Sequence, residues 1–480
     1  MNNKLIGREN EQVILQKALQ SDESEMVAVI GRRRVGKTFL VRSVYDARIR
    51  FELTGLQNAT LARQLSNFTF QLGEFFGNHA PEKAPADWLE AFQQLILCLK
   101  KSEFREKPVL FFDELPWLAS RKAGFLEGLD FFWNSWAVKK NIVVVICGSA
   151  ASWMIRKVVH HKGGLHNRIT KRIHLQAFNL YETERFFQRK NIFLDRYQIL
   201  QIYMAMGGIP HYLKEVEGGK SAVQNIEALC FSSTGLLSDE FQKLYPALFE
   251  KSENHIAIIT ALAEKWKGLT RREIIAATKM KDGGGLTRCL EELTSSGFVT
   301  AYFSFGNRKK DMFYRLTDEY SLFYLKFIQH IKNQGVDAWQ HFSQTPQFMA
   351  WSGYAFENIC LKHTEQIKKA MSIAGIYSET SGFYSPGTST ESGVQIDLLI
   401  DRRDNVIDLF ELKFYNEAIR LDKSDALALR EKIATFRRLT ATRKQIFLSL
   451  LSTFGLTPNE NSIGLVARSL TMDILFEQSG

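Results

Sequence analysis

Apolar residues follow two rhythms along this chain. In one, short runs are apolar at every position: 26–30, 109–112 and 142–147. Such runs predict strands buried on both faces, and 49–53 and 169–175 read as two more. In the other, apolar residues recur at helical spacing, as at Val13, Ile14, Leu15 and Leu19. Residues 60–104 read as helices broken by a loop over 79–87. Strands alternating with helices predict a parallel sheet covered on both sides.

From residue 176 the pattern turns helical, with a start signal at Asn179 or Thr183 followed by Glu, and an interruption over 207–213. Residues 246–330 give helical runs and then an aromatic-rich hairpin around Gly306-Asn307. Helix, helix, helix, hairpin is the order of a winged-helix module. Beyond it, 350–372 is helical, 394–401 and 406–414 are adjacent strands, 422–439 is a helix, and 444–451 and 462–468 are strands. This tail has an α-β-β-β-α-β-like order. The expected domains are a core over 1–176, a helical lid over 177–245, a winged helix over 246–330 and an α/β domain over 345–480.

The chain has 480 residues, enough for about three domains. With 45% hydrophobic and 24% charged residues it is globular in composition, which excludes disordered, collagen-like and rod-like classes. The net charge is +10, of which residues 1–245 carry +8, 246–330 carry +3 and 345–480 carry −1. Basicity concentrated in the N-terminal half is compatible with nucleic acid or another anionic surface. The five Cys are scattered without a C-x-x-C pair, which predicts buried thiols in a reducing cytoplasm. No signal peptide is expected at the N-terminus, and the longest uncharged apolar stretch, 142–155, is too short to span a membrane.

The strongest chemical signal is Gly31-Arg32-Arg33-Arg34-Val35-Gly36-Lys37-Thr38, a full G-x4-G-K-[ST] phosphate loop between a predicted strand and a predicted helix. Its glycines let main-chain N–H groups close around phosphate oxygens, and the helix N-terminus adds positive potential. Lys37 is placed to reach the β- and γ-phosphates of ATP, and the Thr38 hydroxyl to bind Mg²⁺. The run 109–112 ends in Asp113-Glu114. Asp113 is expected to hold Mg²⁺ through water, and Glu114 to polarise the attacking water. The run 142–147 ends in Gly148-Ser149, where Ser149 is a candidate γ-phosphate sensor. Arg168 is a candidate for stabilising the transition state, in cis or from a neighbouring subunit of an oligomer.

Residues 5–11 (LIGRENE), the phosphate loop, FFDE, CGSA, the Arg168 region and GGIP at 207–210 occur in that order. Together they resemble the archaeal and bacterial ATPases of the STAND/AAA+ branch of P-loop NTPases. The resemblance covers about 1–330. It implies that Ile6, Gly7 and Arg8 help form the base pocket, that a helical lid follows the sheet with Pro210 near the nucleotide, and that a winged helix comes next. Where that group shows a Gly-Arg pair, this chain has Asn167-Arg168.

A second constellation lies in the tail: Glu357, Asp397, Glu411 and Lys413. The spacing Asp-x13-Glu-x-Lys resembles that of PD-(D/E)XK nucleases. Asp397 and Glu411 on neighbouring strands are expected to share Mg²⁺ or Mn²⁺, with Glu357 completing the set. Glu411 and Lys413, two apart on a strand, point to one face, so Lys413 can activate water or stabilise the pentavalent phosphate. The tail's charge is not that of a strong DNA grip, so DNA affinity is expected from Lys and Arg of the preceding domains. In 285–295, at the recognition-helix position, only Arg288 is basic, whereas the wing tip Asn307–Lys310 is basic.

The sequence therefore predicts an α/β P-loop ATPase with lid, winged helix and nuclease-like tail, binding ATP with Mg²⁺. Three functions fit. One is an ATP-gated, metal-dependent enzyme acting on DNA. The others are a nucleotide switch with an inert tail, and a DNA-binding regulator that uses ATP to set its conformation.

Overall fold

The computed structural model describes residues 5–119, 123–149, 151–159, 168–249, 251–306, 312–331, 337–387 and 393–478. Asn167 and the wing tip Asn307–Lys310 lie outside them. The chain divides into two compact units. The first is Met1–Ala177 with the short pieces Leu248–Glu250 and Glu291–Ser296; the second holds the remainder.

The first unit is built on five strands: β1 (Glu25–Ile30), β2 (Ile49–Thr54), β3 (Val109–Asp113), β4 (Val143–Gly148) and β5 (Lys171–His174). Their order is β2-β3-β4-β1-β5 and every pairing is parallel. All residues of β1, β3 and β4 are buried, as runs apolar on both faces require. The helices Leu61–Phe76, Trp88–Lys101 and Phe125–Ser135 cover one side, where Phe51, Phe68, Trp88, Phe92, Phe112 and Phe125 form a cluster of edge-on rings. Each of the first two starts at a side-chain cap, Thr60 and Asp87. β4 lies between β1 and β3, so the C-terminal ends of three adjacent strands meet at one edge.

In the second unit, Asn179 and Glu182 form a capping box that starts the helix Leu180–Arg189. After further helices come β6 (Leu269–Thr270), β7 (Val299–Phe303) and β8 (Met312–Leu316), an antiparallel sheet of order β6-β8-β7. Helices Glu253–Ala263, Arg271–Thr278 and Gly284–Ser295 precede the β7–β8 hairpin, in the expected order.

The tail opens with the helices Pro346–Lys362 and Thr364–Ala370. Its sheet comprises β9 (Ser378–Ser385), β10 (Val394–Arg402), β11 (Val406–Lys413), β12 (Gln445–Ser452) and β13 (Val466–Thr471), in the order β13-β12-β11-β10-β9. β9, β10 and β11 pair antiparallel, whereas β11, β12 and β13 pair parallel. The helix Lys423–Thr440 between β11 and β12 makes the parallel crossover possible. Its Leu429 and Phe436 pack on Leu399, Leu409 and Leu448. Asp408, fully buried in β11, is held by Arg402 and Arg468, each at 3.1 Å.

Among the described residues no helix is long and apolar enough to cross a membrane. All five cysteines are buried and unpaired, as expected.

Candidate functional site

The phosphate loop joins the end of β1 to the helix Lys37–Tyr45. Gly36 caps that helix with φ +94°, and Arg34 also takes a positive φ of 71°. A Cβ on Gly31 would stand 2.4 Å from the Leu175 carbonyl oxygen, so only glycine lets the loop start this close to the segment after β5. Arg32, Val35 and Lys37 are buried, and Arg33 and Arg34 partly so. The Lys37 ammonium donates to the Arg32 carbonyl at 2.9 Å.

β3 delivers the acidic pair to this loop. The Thr38 hydroxyl donates to Asp113 Oδ2 at 2.7 Å, bringing together residues 75 positions apart in sequence. Glu114 has φ +49°, a conformation rare for a non-glycine residue. Ser149, at the end of β4, donates to Glu114 Oε2 from its hydroxyl at 2.7 Å and from its main-chain N–H at 3.2 Å. Ser149 therefore fixes the direction of the Glu114 carboxylate. Burial and the neighbouring Asp113 push the Cys147 thiol far up, so it stays neutral beneath the site. A hydroxyl beside a carboxylate is a hard oxygen donor set of the kind Mg²⁺ takes.

Other expected residues occupy separate positions. Gly7 and Arg8 are buried and Ile6 half-buried, and Arg8 Nη2 donates to the Gln176 carbonyl at 2.7 Å, tying the N-terminal box to the chain after β5. Arg168 is half-buried in the turn before β5, and its Nε is buried without a hydrogen-bond partner among the described residues. Pro210 opens the short helix Pro210–Leu213 in the second unit.

In the tail, Glu357 lies on the helix Pro346–Lys362, Asp397 on β10, and Glu411 and Lys413 on β11. Leu398 pairs with Phe410, and continuing that register by one residue sets Asp397 opposite Glu411. The β9–β10 register shifts between Ile396 and Leu399, so Asp397 sits at an irregularity that re-aims its side chain. The strands are therefore arranged as expected, but the expected metal set is not assembled. Among the described residues no three His, Cys, Asp or Glu side chains are close enough to hold an ion. Protein cations take the carboxylates instead. Lys413 stands 3.0 Å from one Glu411 oxygen, and Lys432 stands 2.6 Å from the other. Burial raises the Glu411 pKa, but Lys432 and Lys413 outweigh it and hold the carboxyl below its usual range. Burial pulls the Lys413 pKa down, but Glu411 more than offsets this and raises it. Glu357 is 3.4 Å from Arg315 of β8, while burial and then the nearby Asp397 push its carboxyl up to about 8. Asp397 accepts from the Gln395 amide at 2.7 Å.

Arg315 and Lys432 were not singled out in the sequence. A lone Arg in the apolar-aromatic strand MFYRL was a signal for the first. The second sits on an ordinary charged helix and had none.

Residues 5–216 match the family model described as an ATPase domain predominantly from Archaea. This stretch is similar to an ATPase domain of archaeal type. An uncharacterized protein of Methanocaldococcus jannaschii is 24% identical over 212 residues, which span 44% of this chain and 44% of that protein. Among solved structures, the Walker-type ATPase PABY2304 of Pyrococcus abyssi is similar at 18% identity and a TM-score of 0.49, covering 68% of this chain and 97% of that one. The ORC2 protein of Aeropyrum pernix is similar at 17% identity and a TM-score of 0.40, covering 72% and 98%. At these scores the two structures add nothing to the reading of the site.

Proposed function

We propose that the archaeal-type ATPase domain binds ATP with Mg²⁺ and hydrolyses it, and that its nucleotide state controls a DNA-directed remainder of the chain whose nuclease-like tail is catalytically inert. The observation that carries the ATPase reading is the 2.7 Å bond from Thr38 to Asp113, with Glu114 fixed beside it by Ser149.

In this reading the main-chain N–H groups of 31–38 and the N-terminus of the helix Lys37–Tyr45 bind the phosphates. Thr38 and, through water, Asp113 would hold the Mg²⁺, which neutralises phosphate charge when bound. Glu114 accepts the proton of the attacking water, and Ser149 keeps that carboxylate pointing one way. Lys37 and, in cis or across subunits, Arg168 offset the charge that develops on the phosphoryl group. Ile6, Gly7, Arg8 and Pro210 are assigned to the base side by resemblance. Lys37→Ala is expected to abolish ATP binding in equilibrium dialysis. Glu114→Gln should bind ATP but release phosphate at least about 100-fold more slowly. Unchanged turnover in Glu114→Gln would mean that another group activates the water.

The element order over 246–330 supports a winged helix, and the sheet and crossover over 345–480 support a PD-(D/E)XK-like fold. The ion pairs of Glu411 with Lys413 and Lys432 favour an inert tail over a metal-dependent nuclease. Plasmid incubated with Mg²⁺ or Mn²⁺ should stay intact with the wild type. Cleavage that disappears in Lys413→Ala would restore the nuclease reading. DNA binding rests on the basic N-terminal half, so retention of DNA should fall steeply as salt rises.

A further inference from the structure

The second unit contains a cavity of about 330 Å³ between the β7–β8 hairpin, strands β9 and β10, and the end of the helix Pro346–Lys362. Its volume is at the lower end of that of small-molecule sites. Four aromatic residues, Tyr302, Phe313, Phe383 and Tyr384, stand in its wall, and Tyr302 and Phe313 stack across the hairpin at 5.6 Å. Three cations, Lys267, Arg315 and Lys362, line it against one carboxylate, Asp397.

These cations differ in what balances them. Lys362 is paired with Glu319 at 2.6 Å, and Arg315 faces Glu357 at 3.4 Å. Lys267 has no carboxylate partner among the described residues. Its ammonium lies 3.7 Å from the centre of the Tyr384 ring, and its carbonyl accepts from the Tyr302 hydroxyl. A cavity with a stacked aromatic pair in its wall, one unmatched ammonium at its edge and a guanidinium in its wall suits a ligand with a flat ring and an anionic group. Asp397 and Gln395 add an acceptor and an amide that can read polar edges of the ring.

We infer that this cavity is a second ligand site, separate from the phosphate loop, for a nucleoside monophosphate group. The ring lies against the stacked pair Tyr302 and Phe313, and the phosphate faces Lys267 and Arg315. The group can come from a free nucleotide or from the phosphorylated end of an oligonucleotide. Because the cavity is walled by both hairpin and tail, its occupant bridges them.

The full-length Lys37→Ala protein, titrated with AMP by calorimetry, tests this without relying on the phosphate loop. One AMP per chain should bind. Adding Lys267→Met should weaken binding at least about tenfold, as loss of a charge-assisted contact does, and adenosine should bind as weakly. Thr300→Trp, which fills the cavity from the Tyr302 face of β7, should abolish binding while leaving the circular dichroism unchanged. If a 5′-phosphorylated oligonucleotide displaces AMP, the source is a nucleic-acid end; if it does not, the source is a free nucleotide. No heat with AMP, or binding unaltered by both Lys267→Met and Thr300→Trp, would overturn the inference. Should AMP bind only when Lys37 is intact, the phosphate loop alone is responsible and the second site is absent.

Discussion

His363 links two helices of the second unit in a way that ties stability to pH. Its Nε2 accepts the N–H of Leu180, the first residue of the helix Leu180–Arg189, at 3.1 Å. Its Nδ1 lies 2.7 Å from the Ile359 carbonyl, so Nδ1 carries the proton and the ring is neutral. A second proton on Nε2 would remove the acceptor from a buried helix terminus. Burial, with Lys362 adding to it and the Ile359 bond opposing, pushes the imidazole down to about 4 from an ordinary 6.5. The unfolded chain therefore binds more protons than the folded chain between these values. Stability from this residue is full above pH 6.5 and is lost as pH falls toward 4. The whole shift amounts to roughly 3 kcal/mol, and the part falling between pH 7 and pH 5 to about 2 kcal/mol. Urea denaturation followed by tryptophan fluorescence at pH 7 and pH 5 measures the loss directly. His363→Gln, which has no proton to gain, should start less stable at pH 7 but lose about 2 kcal/mol less than the wild type on acidification. Equal losses in the two proteins would show that His363 is not the titrating group.

Two further outcomes follow from the described contacts. Ser149→Ala removes the hydroxyl bond to Glu114 and leaves only the main-chain N–H at 3.2 Å; ATP affinity should be unchanged, while turnover falls about tenfold in a phosphate-release assay. Asp408→Ala leaves Arg402 and Arg468 without their buried partner and should lower unfolding free energy by about 3–5 kcal/mol in urea, whereas Asp422→Ala, which removes the exposed side-chain N-cap of the helix Lys423–Thr440, costs about 1 kcal/mol.

The meeting of Thr38, Asp113, Glu114 and Ser149 was foreshadowed in the sequence because each stands at the end of a local pattern. A phosphate loop is one turn flanked by a strand and a helix, and its spacing is set by main-chain geometry alone. Runs apolar on both faces gave β1, β3 and β4, and the acidic pair and Ser149 follow directly at their ends. The strand β9 was not located. Of its eight residues only Phe383 is buried, so no alternation marks it, and pairing with β10 makes it a strand.

The sequence alone determined which side chains stand at strand ends and which turns can wrap a phosphate, since both depend on residues within a few positions. Only the tertiary structure decided which charges meet. Thr38 and Asp113 come together because β1 and β3 flank β4 in a parallel sheet. In the tail the same kind of placement went against the local pattern. Lys432, from a helix, and Arg315, from a different sheet, reached the carboxylates that spacing had assigned to a metal. Coulomb attraction in a partly buried site acts on whichever cation the chain path delivers, and no local spacing records that path.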